Sequence, residues 1–107
     1  MNVEQAKLDL ILQAVSAGKV QTMVARGTSM GTSVPDGSLV FLSPVKHIAL
    51  GDIVAVLINA ETFVIHRVVG LRRNAYLTKG DANRGPDPWV TLDQVKAIVH
   101  TIEPASI

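Results

Sequence analysis

The spacing of apolar residues divides the chain into a helical N-terminal segment and a longer segment of short strands. Residues 2–17 contain no Pro or Gly, Asn2 is a suitable N-cap, and Gly18 follows as a stop signal. Apolar residues occupy more than half of the circumference of this helix, which is wider than one packing partner normally covers. We therefore predict a helix over 2–17 that packs on the rest of the chain and leaves apolar surface for a second copy or a partner protein.

From Val20 onward the pattern changes to short runs rich in β-branched and apolar residues. Turn pairs such as Asp36-Gly37, Gly51-Asp52 and Gly80-Asp81 separate the runs. Such short, evenly spaced strands predict a mainly β protein, a small, partly closed antiparallel barrel or folded sheet, with one N-terminal α-helix. The predicted strands are 20–26, 39–43, 53–58, 63–71, 76–79 and 95–102.

Length and charge narrow the class of protein further. A chain of 107 residues supports one domain, predicted to span 1–107, because two cores would each be too small. A net charge of +1 and 4% aromatic residues argue against nucleic acid as a partner, since phosphate-binding surfaces are basic and single strands need stacking platforms. The longest apolar run, 53–58, is far shorter than the roughly 20 residues that span a bilayer. We expect a soluble chain, either cytoplasmic or held at a membrane by a partner.

The residue types also limit the chemistry. With no cysteine, the chain has no thiolate nucleophile, disulfide or Cys-ligated zinc. The histidines and acidic residues lack the helical spacing of a metal-ligand pair. We therefore expect no metal and no cofactor.

One loop has the composition of a nucleophile-bearing bend. Residues 26–35 follow an apolar strand and combine hydroxyl residues, among them Ser29, with Gly27 and Gly31. A nucleophilic serine needs a tight bend that exposes its hydroxyl and aligns backbone N–H groups with a developing oxyanion. The same composition also suits an ordinary structural loop.

His66 and two aspartates are the other candidates. His66 lies among β-branched residues in a predicted strand, where it is either a hydrogen-bonded core histidine or a general base kept neutral by partial burial. Asp81 and Asp87 flank a stiff Gly- and Pro-containing bend, and either carboxylate could orient the imidazole. Without further information these aspartates are equally consistent with plain turn chemistry.

Five short motifs follow one another along residues 20–102. They are Gly27-Thr28-Ser29-Met30, Val34-Pro35-Asp36-Gly37-Ser38-Leu39-Val40, Leu50-Gly51-Asp52-Ile53-Val54, His66-Arg67-Val68-Val69 and Leu77-Thr78-Lys79-Gly80-Asp81-Ala82-Asn83. Taken in this order, they resemble the motifs of the type I signal peptidase family, within the signal peptidase/LexA-like superfamily. The likeness is to the endoplasmic-reticulum and archaeal branch, including SipW-like enzymes, in which a histidine replaces the lysine general base.

This resemblance implies a serine endopeptidase that cleaves a signal or leader segment from a peptide or protein without a cofactor. Ser29 matches the nucleophile and His66 the general base. Asp87 matches the aspartate of the relay and Asp81 a second required carboxylate; which one contacts His66 stays open, with Asp87 favoured. The oxyanion would be held by the backbone N–H of Ser29 and a neighbour in the same loop, with Gly27 and Met30 as the candidates. Family members bind substrate as an added β-strand, for which 24–26 and 51–53 are the expected edges.

Two departures from the family pattern keep other functions open. Thr32 stands where the family commonly has proline, and the 2–17 helix stands where its members usually have a membrane span. One alternative is a self-cleaving repressor-type domain with a Ser–Lys pair, for which Lys79 is the nearest lysine and Ala17-Gly18 resembles the cut site. The other is a non-catalytic peptide- or protein-binding module that keeps the fold.

Overall fold

The computed structural model describes residues 3–105 and begins with helix α1, Val3–Ser16. The helix ends where Gly18 adopts a φ of +94° and the Gly18 and Lys19 N–H groups donate to the carbonyls of Val15 and Ala14 at 2.9 and 3.0 Å. The predicted helix is confirmed to within one residue at each described end, while Asn2 lies outside the described residues. No helix within 3–105 has the length and hydropathy needed to cross a membrane.

In the described residues, six strands and one short 3₁₀ turn follow the helix, and all six predicted strands are present with ends shifted by two residues at most. The strands form one antiparallel sheet in the order β1-β2-β6-β3-β4-β5. Within residues 3–105 the sheet does not close, because β1 and β5 each pair with only one other strand. The mainly β prediction is confirmed in its folded-sheet form. The strands are β1 Gln21–Val24, β2 Leu39–Ser43, β3 Ile53–Leu57, β4 Phe63–Arg72, β5 Ala75–Lys79 and β6 Val95–Glu103, with the 3₁₀ turn at Leu92–Gln94.

Apolar side chains cover both faces of this sheet. Along β3, Val54 and Val56 belong to one buried cluster and Ala55 to the other, as the two-residue period of a strand requires. Helix α1 covers the Ala55 side, where Val15 is fully buried. The sheet is therefore packed between two apolar layers, and its long-range pairings bring distant segments together.

The register of β4 decides which way its polar residues face. His66 pairs with Val54 on β3, and Arg67 pairs with Ile53 on β3 and Lys79 on β5. Because successive residues of a strand point to opposite faces, His66 and Arg67 lie on opposite sides of the sheet. Pairing of β4 with β5 begins only at Arg67, so residues 63–65 pair with β3 alone within the described chain.

Candidate active site

Ser29 lies in a tight bend between two glycines in left-handed conformations. Gly27 has a φ of +105° and Gly31 a φ of +56°, values that side-chain-bearing residues rarely adopt. The Gly31 N–H donates to the Thr28 carbonyl at 3.0 Å, which closes the turn around Ser29. At the base of the loop, Ala25 bonds to Ser38 and Gly37, each at 2.8 Å. The serine is thus presented on a loop whose two ends are tied together.

The Ser29 loop also contacts the core and the segment that follows β5. Met30 is buried in the core beneath the loop, and its Sδ accepts the Asp81 N–H at 3.4 Å. The Ser29 carbonyl accepts the Ala82 N–H at 2.8 Å. These two contacts dock the serine loop on the segment that follows β5.

A single hydrogen-bonded line joins Ser29, His66 and Asp87. His66 Nε2 lies 3.1 Å from Ser29 Oγ, and His66 Nδ1 lies 2.7 Å from Asp87 Oδ2. The His66 side chain is only 4% exposed. Asp87 Oδ2 also accepts the Thr78 hydroxyl at 2.7 Å. Because a carboxylate can only accept, the ring hydrogen lies on Nδ1 and leaves Nε2 free to take the serine proton.

Asp81 pairs with Arg67 rather than with His66. The guanidinium donates from Nε to Oδ1 at 3.0 Å and from Nη2 to Oδ2 at 2.9 Å, while its Nη1 donates to the Gly51 carbonyl at 2.8 Å. The hydrogen bonds from Arg67 lower the pKa of Asp81, and the same bonds raise the pKa of Arg67. Since His66 and Arg67 face opposite sides of β4, the two aspartates are assigned to different partners.

The backbone N–H donors near Ser29 differ in whether they are already hydrogen-bonded. The Gly27 N–H donates to Asp36 Oδ1 at 2.9 Å, so this donor is already engaged, and Gly27 contributes to the lining of the cleft. The N–H groups of Ser29 and Met30 make no hydrogen bond within residues 3–105. Sequence analysis did not single out Asp36 as an anchor of this loop; its place in a turn just beyond the loop was the available signal.

A cleft of about 260 Å³ leads to Ser29 between two strand edges. One wall is formed by residues 23–27, which continue the edge strand β1, and the other by residues 63–65 of β4. Residues 24–26 therefore lie where an added strand was expected. The expectation for 51–53 is wrong, because the Gly51 N–H and the Asp52 carbonyl already bond to Val68, each at 2.8 Å.

A larger hollow of about 850 Å³ lies between α1 and the sheet. Its ionisable lining residues are carboxylates and one lysine, without a histidine, so no imidazole in its lining can pair with a hydroxyl. In the described part of the chain, no three His, Asp or Glu side chains gather as metal ligands. The reactive groups that the structure brings together are those at Ser29.

A buried imidazole between a serine hydroxyl and a carboxylate, carried by an open antiparallel sheet, has the arrangement of a serine hydrolase. A comparison with protein-family models agrees, since the model described as Peptidase S24-like matches residues 2–97. The match covers most of the chain, and the protein belongs to this family. It thereby falls in the signal peptidase/LexA-like superfamily that the motifs resemble. No curated protein matches the chain.

Proposed function

We propose that this protein is a serine endopeptidase of the signal peptidase type, from the SipW-like branch with a histidine base, which removes a leader or signal segment from a peptide or protein. One observation carries the proposal: Ser29 Oγ, His66 and Asp87 Oδ2 form a continuous hydrogen-bonded line. The base and the nucleophile are within the reach that proton transfer requires.

The first half of the reaction forms an acyl-enzyme. Ser29 Oγ attacks the scissile carbonyl carbon while His66 Nε2 takes the hydroxyl proton. The unpartnered N–H groups of Ser29 and Met30 receive the developing oxyanion, and the Asp87 carboxylate stabilises the imidazolium. The imidazolium then gives its proton to the leaving nitrogen, the C–N bond breaks, and the acyl group stays on Ser29 as an ester.

The second half releases the acyl group with water. His66 Nε2 takes a proton from the attacking water, whose oxygen bonds to the ester carbon, and the resulting imidazolium returns a proton to Ser29 Oγ as the ester C–O bond breaks. The products are a peptide acid and the restored serine hydroxyl. Each residue returns to its starting protonation state.

The cleft favours a short extended segment with small apolar side chains. Its walls, 23–27 and 63–65, are strand edges whose main-chain groups can bond to a peptide laid between them. Its volume of about 260 Å³ lies just below the range of typical ligand pockets. Most of its lining residues are apolar, among them Met23, Ala25, Val34 and Ile65, and Arg26 is the one charged residue in the lining, so we propose small, uncharged residues next to the cut.

The contacts of Lys79 disfavour the repressor-type Ser–Lys alternative. Its Nζ donates to the neighbouring Gly80 carbonyl at 3.2 Å, whereas the partner of Ser29 Oγ is His66. The non-catalytic alternative is disfavoured because the hydroxyl, imidazole and carboxylate are all in place and mutually bonded. A binding module would not need this line to be intact.

The test uses wild type, Ser29→Ala, His66→Ala and, as a matched control from the same loop, the exposed Thr32→Ala. Each protein is incubated with a proteome-derived peptide library, and new termini are read by mass spectrometry, which also reveals the residues flanking each cut. We expect cleavage by wild type and Thr32→Ala only. Cleavage that persists in Ser29→Ala, or none by wild type, would contradict the proposal. The intact mass of each protein over the same period shows whether the chain instead cuts itself, for example at Ala17-Gly18.

A further inference from the structure

We propose that Thr78 is a positioning residue of this site: its hydroxyl holds the Asp87 carboxylate and thereby fixes the tautomer and orientation of His66. This inference rests on the proposed function. The Thr78 hydroxyl donates to Asp87, and Thr78 is not among the residues that line the cleft, so it would act through Asp87.

Thr78 attaches an irregular segment to a strand at two points. Asp87 lies in residues 80–89, which contain no helix or strand. Its N–H donates to the Thr78 carbonyl at 2.8 Å, and its Oδ2 accepts the Thr78 hydroxyl at 2.7 Å. Thr78 itself is fully buried on β5, opposite Val68. Thr78 accepts the first of these hydrogen bonds and donates the second. Because Thr78 lies on a strand, both bonds tie Asp87 to a rigid element, which gives a functional group a precise position.

The hydrogen bonds at Asp87 Oδ2 have a fixed direction. The oxygen has no hydrogen to give, so Thr78 Oγ1 and His66 Nδ1 must both donate to it. Without the Thr78 hydroxyl, the carboxylate keeps one of these two contacts and can turn about its last side-chain torsion, which has a broad energy minimum. A turning carboxylate no longer holds the Nδ1–H tautomer that leaves Nε2 open towards Ser29.

The surroundings of Thr78 show why the hydroxyl, rather than the shape of the side chain, matters. The neighbouring buried cluster on this part of the sheet contains Val54, Val56, Val68 and Val90. Valine has nearly the shape of threonine and would avoid burying a hydroxyl. At this position the chain instead has a buried hydroxyl whose partner is the Asp87 carboxylate.

The experiment compares Thr78→Val, Thr78→Ser, Asp87→Ala and the Thr78→Val/Asp87→Ala double variant. The readout is the rate at which a fluorophosphonate probe modifies Ser29, followed by intact mass, with thermal unfolding as the check on folding. We expect Thr78→Val to slow labelling at least tenfold and Thr78→Ser to stay within threefold of wild type. In the Asp87→Ala background, Thr78→Val should change the rate by less than twofold, because a residue that acts through Asp87 has nothing left to position. Equal rates for Thr78→Val and wild type, or effects that multiply in the double variant, would overturn the inference.

A second measurement does not depend on catalysis. In nitrogen-edited NMR spectra, the His66 Nδ1–H proton should be protected from exchange in wild type and Thr78→Ser and lost to exchange in Thr78→Val. Equal protection in Thr78→Val would overturn the role of Thr78. The proposed peptidase function fails if wild type cleaves no peptide of the library, and the NMR comparison decides the role of Thr78 in either case.

Discussion

Two aspartates six residues apart in one loop have different partners. Asp87 accepts the ring N–H of His66, and Asp81 forms a two-point ion pair with Arg67. The cause is the alternation of side chains along β4, which sends His66 and Arg67 to opposite faces of the sheet. Asp81 therefore joins β4 to the segment after β5, while Asp87 accepts the hydrogen bond from the His66 imidazole.

The Asp81–Arg67 pair predicts a pH-dependent contribution to stability. The pKa of Asp81 is lowered in the folded protein, chiefly by the hydrogen bonds from Arg67, so its stabilisation is present above the unfolded pKa and lost as pH falls through the folded one. Asp81→Asn should reduce the free energy of unfolding by about 1 kcal/mol at pH 7. Urea unfolding should show this difference shrinking towards zero as the pH falls below about 4. A difference that stays constant down to pH 2 would contradict this assignment.

Asp87→Asn should have its main effect on catalysis. An amide in place of the carboxylate cannot stabilise the imidazolium, and its NH₂ group favours the wrong ring tautomer. We expect cleavage that depends on Ser29 to fall by about 10³-fold or more. The assay is the rate of cleavage of a peptide selected from the library. Asp93→Asn, an exposed aspartate at the 3₁₀ turn, is the control and should retain the wild-type rate; comparable losses in both variants would count against the relay.

At the scale of elements, the serine loop and the segment after β5 are packed too closely for an extra atom. A Cβ added at Gly80 would lie 2.7 Å from the Ser29 carbonyl oxygen and 3.0 Å from Ser29 Cβ. Because the nearest Ser29 atom belongs to the backbone, the contact cannot be relieved by a side-chain rotation. The position of Ser29 therefore depends on the absence of a side chain at Gly80, in the segment that follows β5.

Gly80→Ala should move the Ser29 loop. We expect at least a tenfold loss in the rate of probe labelling at Ser29 and a fall of about 1–3 kcal/mol in the free energy of unfolding, which is typical of overpacking. Gly85→Ala, in the same segment, meets no atom within 4 Å and should label within threefold of wild type. Wild-type labelling by Gly80→Ala would show that the two segments are not held in this contact.

At the scale of the whole molecule, α1 contributes to the core through a narrow line of residues. Val15 is fully buried with Leu42 and Val99 of the sheet, whereas Leu10 is 66% exposed. The exposed apolar part of the helix matches the prediction that its apolar arc is wider than one packing partner covers. A second copy or a partner protein on this part of α1 remains our proposal.

Val15→Ala and Leu10→Ala form a matched pair that measures how the helix is attached. Removing two methyl groups from the fully buried Val15 should cost about 2 kcal/mol, from lost transfer energy and a residual cavity. Leu10→Ala should change the free energy of unfolding by less than about 0.5 kcal/mol. Chemical denaturation at low protein concentration measures both. Equal effects of the two substitutions would contradict the packing of α1 on the sheet.

Local pattern was sufficient to predict the elements and the reactive residue types. A stretch without Pro or Gly that ends at Gly18 predicted α1, and runs of β-branched and apolar residues between turn pairs predicted all six strands. The glycines around Ser29 predicted a bend, and the motif resemblance singled out Ser29, His66, Asp81 and Asp87. These inferences need only neighbours along the chain or a comparison of sequences.

What the tertiary structure decided depends on pairings between distant segments. The strand order places β6 between β2 and β3. The register of β4 determines that Asp87 bonds to His66 and that Asp81 bonds to Arg67. The same pairings engage the backbone of residues 51–53 and leave residues 63–65 as a cleft wall. The partner of a side chain depends on which segment of the folded chain lies next to it. The sequence around a single residue does not contain that information.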